Sequence, residues 1–136
     1  MFRVKLILFA QSVVIDKRTN LVTLCNVTEE FHAKEVPINI PPTNLLIYFQ
    51  RDDIDPNSKF PIKVVISLND KILGENNTSI DFQNRKKHRL VVGYSTILIN
   101  EFGILKFEIF NEDKSLSVFE CPIIHDPTLK QEIPSS

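Results

Sequence analysis

Three glycines in 136 residues leave little material for a phosphate-cradling loop. Such loops need clustered glycines so that backbone N–H groups can approach the phosphate closely. Here Gly74, Gly93 and Gly103 stand far apart. Two cysteines, Cys25 and Cys121, cannot build a disulfide framework. The count allows one bridge between distant strands, and two free, buried, small apolar residues are the ordinary alternative. Alanine occurs only at positions 10 and 33, so stretches that favour helix are scarce. An excess of basic charge is also missing. Sixteen Lys and Arg against seventeen Asp and Glu give a net charge of −1, whereas dedicated nucleic-acid binders are usually strongly basic. Eighteen consecutive apolar residues occur nowhere, which excludes a helical membrane span of that kind. Arg3 and Lys5 before 6–10 faintly imitate a secretory leader. The apolar run breaks at Gln11-Ser12, with no clean small-residue cleavage site. A soluble, cytoplasmic protein is expected, in which the sequons at Asn26, Asn76 and Asn77 have no chemical meaning.

What the chain does contain is Ile, Val and Phe in runs of five to nine residues, cut by Pro, Asn, Asp and Gly. That is the punctuation of β-strands. Residues 2–15 are apolar on both faces, as in a strand buried on both sides or crossing between sheets. A polar turn at 16–20 and a second strand ending near Thr28 complete a hairpin. The connection 29–42 contains Pro37, Pro41 and Pro42, which forbid a regular helix or central strand there. A single helical turn is expected near 29–34. Further strands are expected at 45–49, 62–68 and 72–82, with a bulge at Gly74. One or two more fall within 90–99, bent near Gly93. Residues 104–110 and 116–124 form the clearest hairpin, around the turn Asn111-Glu112-Asp113-Lys114. Seven to nine short strands at this spacing predict an all-β, antiparallel two-sheet sandwich, immunoglobulin-like or C2-like, over residues 1–125. Residues 126–136 read as a loosely ordered tail.

The order of these features resembles a known family. A first apolar strand ends in Asp16 and is followed by Asn20-Leu21-Val22-Thr23-Leu24. A connection runs through Pro37 and Pro41-Pro42, then a middle strand pair. The chain closes with Phe102-Gly103-Ile104-Leu105-Lys106-Phe107, a polar turn and a strand ending at Pro122-Ile123. This is similar to a family of small, uncharacterised bacterial proteins, a domain of unknown function with a sandwich of immunoglobulin-like or C2-like type. The likeness spans residues 3–123. Cys25-Asn26 stands where the family has a glycine. The resemblance implies the sandwich and transfers no catalytic residue.

Few constellations carry chemistry. His32, His88 and His125 lie at no zinc-ligand spacing from one another or from a cysteine. No Gly-x-Ser-x-Gly elbow is present. Asp53, Asp55 and Asn57 follow the alternation of hard oxygen ligands that wraps calcium. The EF-hand pattern then fails, because Ser58 replaces the required Gly and Val64 the bidentate Glu. A solvated acidic turn explains the same residues. Arg85-Lys86-Lys87-His88-Arg89 is the densest charge cluster and suits an anionic lipid, an RNA or an acidic protein. No aromatic residue interleaves with it, unlike most single-strand binders. A solvated edge-strand start, where Lys and Arg deter aggregation, is the ordinary alternative.

The function expected from these residues is a non-enzymatic binding or protein-interaction module, without cofactor or metal. It works through loops and sheet edges, with a protein partner and homo-oligomerisation both compatible. The alternatives are a C2-like calcium or anionic-membrane surface module and an enzyme whose site is dispersed over several strands.

Overall fold

A computed structural model describes residues 2–129. Its eleven strands are β1 (Phe2–Ile15), β2 (Val22–Val27), β3 (Phe31–Ala33), β4 (Ile38–Ile40), β5 (Thr43–Arg51), β6 (Lys59–Leu68), β7 (Lys71–Asp81), β8 (Lys87–Tyr94), β9 (Ile97–Ile99), β10 (Gly103–Asn111) and β11 (Lys114–His125). The described residues contain no helix. Three sheets form, with strand orders β2-β1-β5-β8, β3-β11-β10-β6-β7 and β4-β9. Every pairing is antiparallel except β3 with β11.

Period-two alternation dictates which faces meet. On β10, Leu105, Phe107 and Ile109 are wholly buried while Lys106 and Glu108 lie on the other face. On β6, Ile62, Val64, Ile66 and Leu68 point inward. From the other large sheet, Leu45, Ile47 and Phe49 of β5 join the same buried cluster. Aromatic rings lock the two sheets together. Phe9 of β1 lies 5.1 Å from Phe107 of β10, centroid to centroid, and Phe2 lies 4.6 Å from Phe60. Each such pair adds about 0.5–1.5 kcal/mol beyond the area it buries.

The first strand stays within one sheet and does not cross to the other. Its pairing with β5 slips by one residue between Val4 and Leu6, leaving Lys5 as a bulge. The slip keeps Phe2, Val4, Ile7 and Phe9 facing the core despite their broken alternation. Ala10 and Leu46 are fully buried although the register places them on the opposite face. The tip of the β1–β2 hairpin reaches β8, where Arg89 donates a hydrogen bond to Asn20 O at 3.1 Å.

Both hairpins expected from the sequence, β1–β2 and β10–β11, are present. Elsewhere five expectations need correcting. Eleven strands exceed seven to nine because β3, β4 and β9 are only three residues long. The 29–42 connection holds β3 and β4 and no helical turn. Phe31 packs 6.4 Å from Phe9, and the parallel pairing of β3 with β11 outweighs a weak local helical preference. The chain bends after Tyr94, at 95–96, and Gly93 remains inside β8 opposite Asn44. Cys25 is exposed on edge strand β2 and Cys121 is buried on β11, and both thiols are free. The bulge expected at Gly74 falls on its neighbour Leu73, opposite the slip between Ile66 and Ser67. Of the expected tail, 126–129 form a turn in which the Asp126 N–H donates to Ala33 O at 2.9 Å. The remainder lies outside the described residues.

One glycine is fixed by geometry. Gly103 has φ +145°, and a Cβ there would lie 1.8 Å from Asn69 Oδ1. Asn69 holds the start of β10 by accepting the Ile104 N–H and donating to Phe102 O, both at 2.9 Å. Gly103→Ala is expected to cost about 1–3 kcal/mol in urea unfolding, part of it from the dihedral alone. Adding Asn69→Ala removes the clash and leaves the dihedral cost, so the double variant should stay below the wild type.

Candidate functional site

The basic run is carried by a tight turn between the two large sheets. β7 ends the five-stranded sheet and β8 begins at the edge of the four-stranded one. Between them Gln83 and Asn84 adopt φ of 51° and 60°, a left-handed pair that closes a two-residue turn. The Arg85 N–H donates to Phe82 O at 2.9 Å, and Asp81 Oδ1 accepts the Gln83 N–H at 2.9 Å. The latter bond, with one from Ser58, holds the Asp81 carboxyl below its ordinary value. The run therefore leaves a defined turn.

Arg51 fixes the turn from beneath. It is 3% exposed and has no carboxylate partner among the described residues. Its Nε donates to Arg85 O at 2.9 Å, and its Nη1 donates to Asn57 O at 3.1 Å and Asp55 O at 3.4 Å. The guanidinium lies 4.6 Å over the Phe82 ring, and the Arg51 N–H donates to Lys86 O at 2.8 Å. Nη2 has no partner. A buried cation satisfied mainly by carbonyl dipoles and a ring face adds positive potential under an already basic loop.

These elements enclose a groove of about 680 Å³. Arg85, Lys86, Lys87, His88 and Arg89 line it, together with Tyr48 of β5 and Asn20 of the hairpin tip. All five residues singled out from the sequence thus converge on one surface. Asp81 is the one acidic residue in the lining. Among the described residues no ion pair involves Arg85, Lys86, Lys87 or Arg89. Arg89 is directed by the hairpin, donating to both the backbone and side-chain oxygens of Asn20. Half-buried Tyr48 supplies aromatic surface missing from the run itself, and the sequence hides this contribution because Tyr48 comes from β5.

His88 points inward at the groove floor, 6.1 Å from the Phe82 ring. Burial holds its imidazole below the ordinary value of 6.5. Asp81 opposes that shift and Arg89 adds to it.

The acidic loop behaves differently. Asp53, Asp55 and Asn57 are all exposed. Asp55 Oδ1 accepts the Asn57 N–H at 2.8 Å, closing an Asx turn. The backbone oxygens of Asp55 and Asn57 face the Arg51 guanidinium. A calcium ion there would compete with a fixed cation for the same carbonyls. Neighbouring Asp52 pairs with Arg3 at 3.1 Å. His32 sits 2.8 Å from Glu30, and His125 stacks at 4.9 Å on Phe102, both far along the chain from His88. Among the described residues no three His, Cys, Asp or Glu side chains converge as a metal site would require. No helix there is long and apolar enough to cross a membrane.

No protein-family model matches the chain. No curated protein matches it either. Among solved structures, it is similar to a β-glucosidase from Listeria innocua crystallised with gluconolactone, at 10% identity and a TM-score of 0.47. That likeness covers 91% of this chain and spans 16% of the enzyme's length.

The His88 shift sets a pH dependence. A depressed folded value means the unfolded chain binds more protons below about 6.5, so stability falls with pH there. The melting temperature should decline as pH drops from 7 towards 5, above the ordinary carboxylate value of 3.8. His88→Gln should flatten that decline. An unchanged slope in thermal melts would show that His88 does not control it.

Proposed function

We propose that this chain is a non-enzymatic binding module whose working surface is the basic groove at the start of β8. The observation that carries the reading is the set of cations around that groove. Arg85, Lys86 and Lys87 project from one tight turn without ion-pair partners among the described residues, above the buried Arg51. Cations with no internal counter-charge suit an external anion. The partner proposed is a protein that presents acidic side chains, met in the cytoplasm. A charged surface of this kind steers association and sets partner choice.

Two large sheets with interleaved inner faces support an immunoglobulin-like or C2-like sandwich. Kinship with the small bacterial proteins of unknown function rests on the strand order and turn residues given above. The groove lacks a nucleophile beside a base, which favours binding over catalysis. The calcium reading has little support, because Arg51 already engages the carbonyls of the acidic loop.

Fluorescence anisotropy with labelled polyglutamate tests the groove. Binding is expected at low salt and should weaken as salt rises. Lys86→Glu with Lys87→Glu should weaken it at least about tenfold without lowering the melting temperature. Binding should also tighten as pH falls through the lowered range in which folded His88 takes up its proton, because an anion in the groove favours the protonated form. No binding at low salt, or full binding by the charge-reversed variant, would contradict the proposal.

A further inference from the structure

β8 pairs with β5 on one side and with no strand on the other. The Arg51 N–H donates to Lys86 O, and the register places these residues opposite each other. In an antiparallel ladder, hydrogen-bonded pairs recur at every second residue. His88, Leu90, Val92 and Tyr94 therefore direct their backbone groups at β5. Lys87, Arg89, Val91 and Gly93 direct theirs away from it, and among the described residues no strand takes them up. Such a row of free N–H and C=O groups is a template for another strand.

Cavities bracket the row. At its start lies the basic groove. Past its end lies a second cavity of about 290 Å³, lined by Leu73 of β7 together with Tyr94, Ile97 and Leu98. Leu73 and Leu98 are 44% and 50% exposed, unusually open for leucines beside a core. One end of the free edge thus offers cations, and the other offers apolar contact.

We infer that the free edge of β8 docks an extended segment of a partner protein by strand addition. The segment is acidic where it meets Lys86, Lys87 and Arg89, and apolar where it meets Leu73 and Leu98. The inference rests on the binding reading above and adds the form of the partner. The eight residues of β8 span about 26 Å at roughly 3.3 Å per residue, so a segment of similar length fills the edge. Ladder bonds supply affinity and the two cavities supply sequence preference. Lysine and arginine on the edge repel a second basic edge while admitting an acidic strand.

Panning a displayed library of random octapeptides against the intact chain tests this directly. The expected result is enrichment of peptides with acidic residues at one end and aliphatic residues at the other. Hydrogen exchange with a selected peptide bound should slow at least tenfold at the amides of Lys87, Arg89 and Val91. Val91→Pro deletes an N–H that faces away from the ladder, a position an edge strand tolerates, and should weaken peptide binding at least tenfold. The exchange measurement needs no variant, so it stands even if Val91→Pro misfolds. Strand addition is overturned if no octapeptide is enriched, if the selected peptides leave those amides unprotected, or if a folded Val91→Pro chain binds them equally well. Retention of polyglutamate, RNA or anionic vesicles without any selected octapeptide removes the strand and leaves the groove standing. Failure to bind either polyglutamate or peptide removes both.

Discussion

The buried guanidinium of Arg51 ties together the parts of the molecule on which its proposed binding surface depends. Two loops, 52–58 and 82–86, leave different sheets and have little apolar surface of their own. Arg51 donates into both, to Asn57 and Asp55 on one side and Arg85 on the other, while its plane covers Phe82. Its own backbone N–H holds Lys86 at the entry to β8. Charge-assisted bonds to carbonyls are stronger than neutral ones, and they require no buried carboxylate. The positive charge is therefore not cancelled locally, and the cations above it share the same sign. That arrangement is costly for the empty protein and is relieved by an anion, which is why the groove reads as a place for one.

The edge of β8 shows the same economy. Most sheets protect an edge with charge, proline, a bulge or a covering loop. Here β7, the edge of the facing sheet, carries a bulge at Leu73, and β8 carries Lys87 and Arg89. The β1–β2 hairpin reaches β8 where Asn20 accepts hydrogen bonds from Arg89. It leaves the ladder groups of β8 untouched. The first part of the edge is thus guarded by charge and the last part by nothing but exposed leucine side chains.

Much of this was legible in the residues. The alternation of Leu105, Phe107 and Ile109 with Lys106 and Glu108 gave away the closing hairpin, because burial on one face leaves a period of two. The five basic residues stood out by density alone. What stayed hidden was long-range. Arg51 looks like one more polar residue opening a loop, and only the fold shows it buried. Tyr48 joins the groove from β5, a strand that the sequence separates from the basic run. The short strands β3, β4 and β9 escaped because three residues carry no periodicity, and their pairing is decided by neighbours elsewhere in the chain. Free cysteine is usually buried, and the place of Cys25 on an edge strand reverses that.

Amide exchange in an Arg51→Met variant measures most directly whether one guanidinium holds the binding surface in place. Loss of its bonds should speed exchange at the amides of Arg85, His88 and residue 51 itself, with Leu105 and Phe107 in the core unchanged, and should weaken polyglutamate binding in parallel. Equal exchange at those positions in variant and wild type, with binding intact, would show that the groove holds its shape without Arg51.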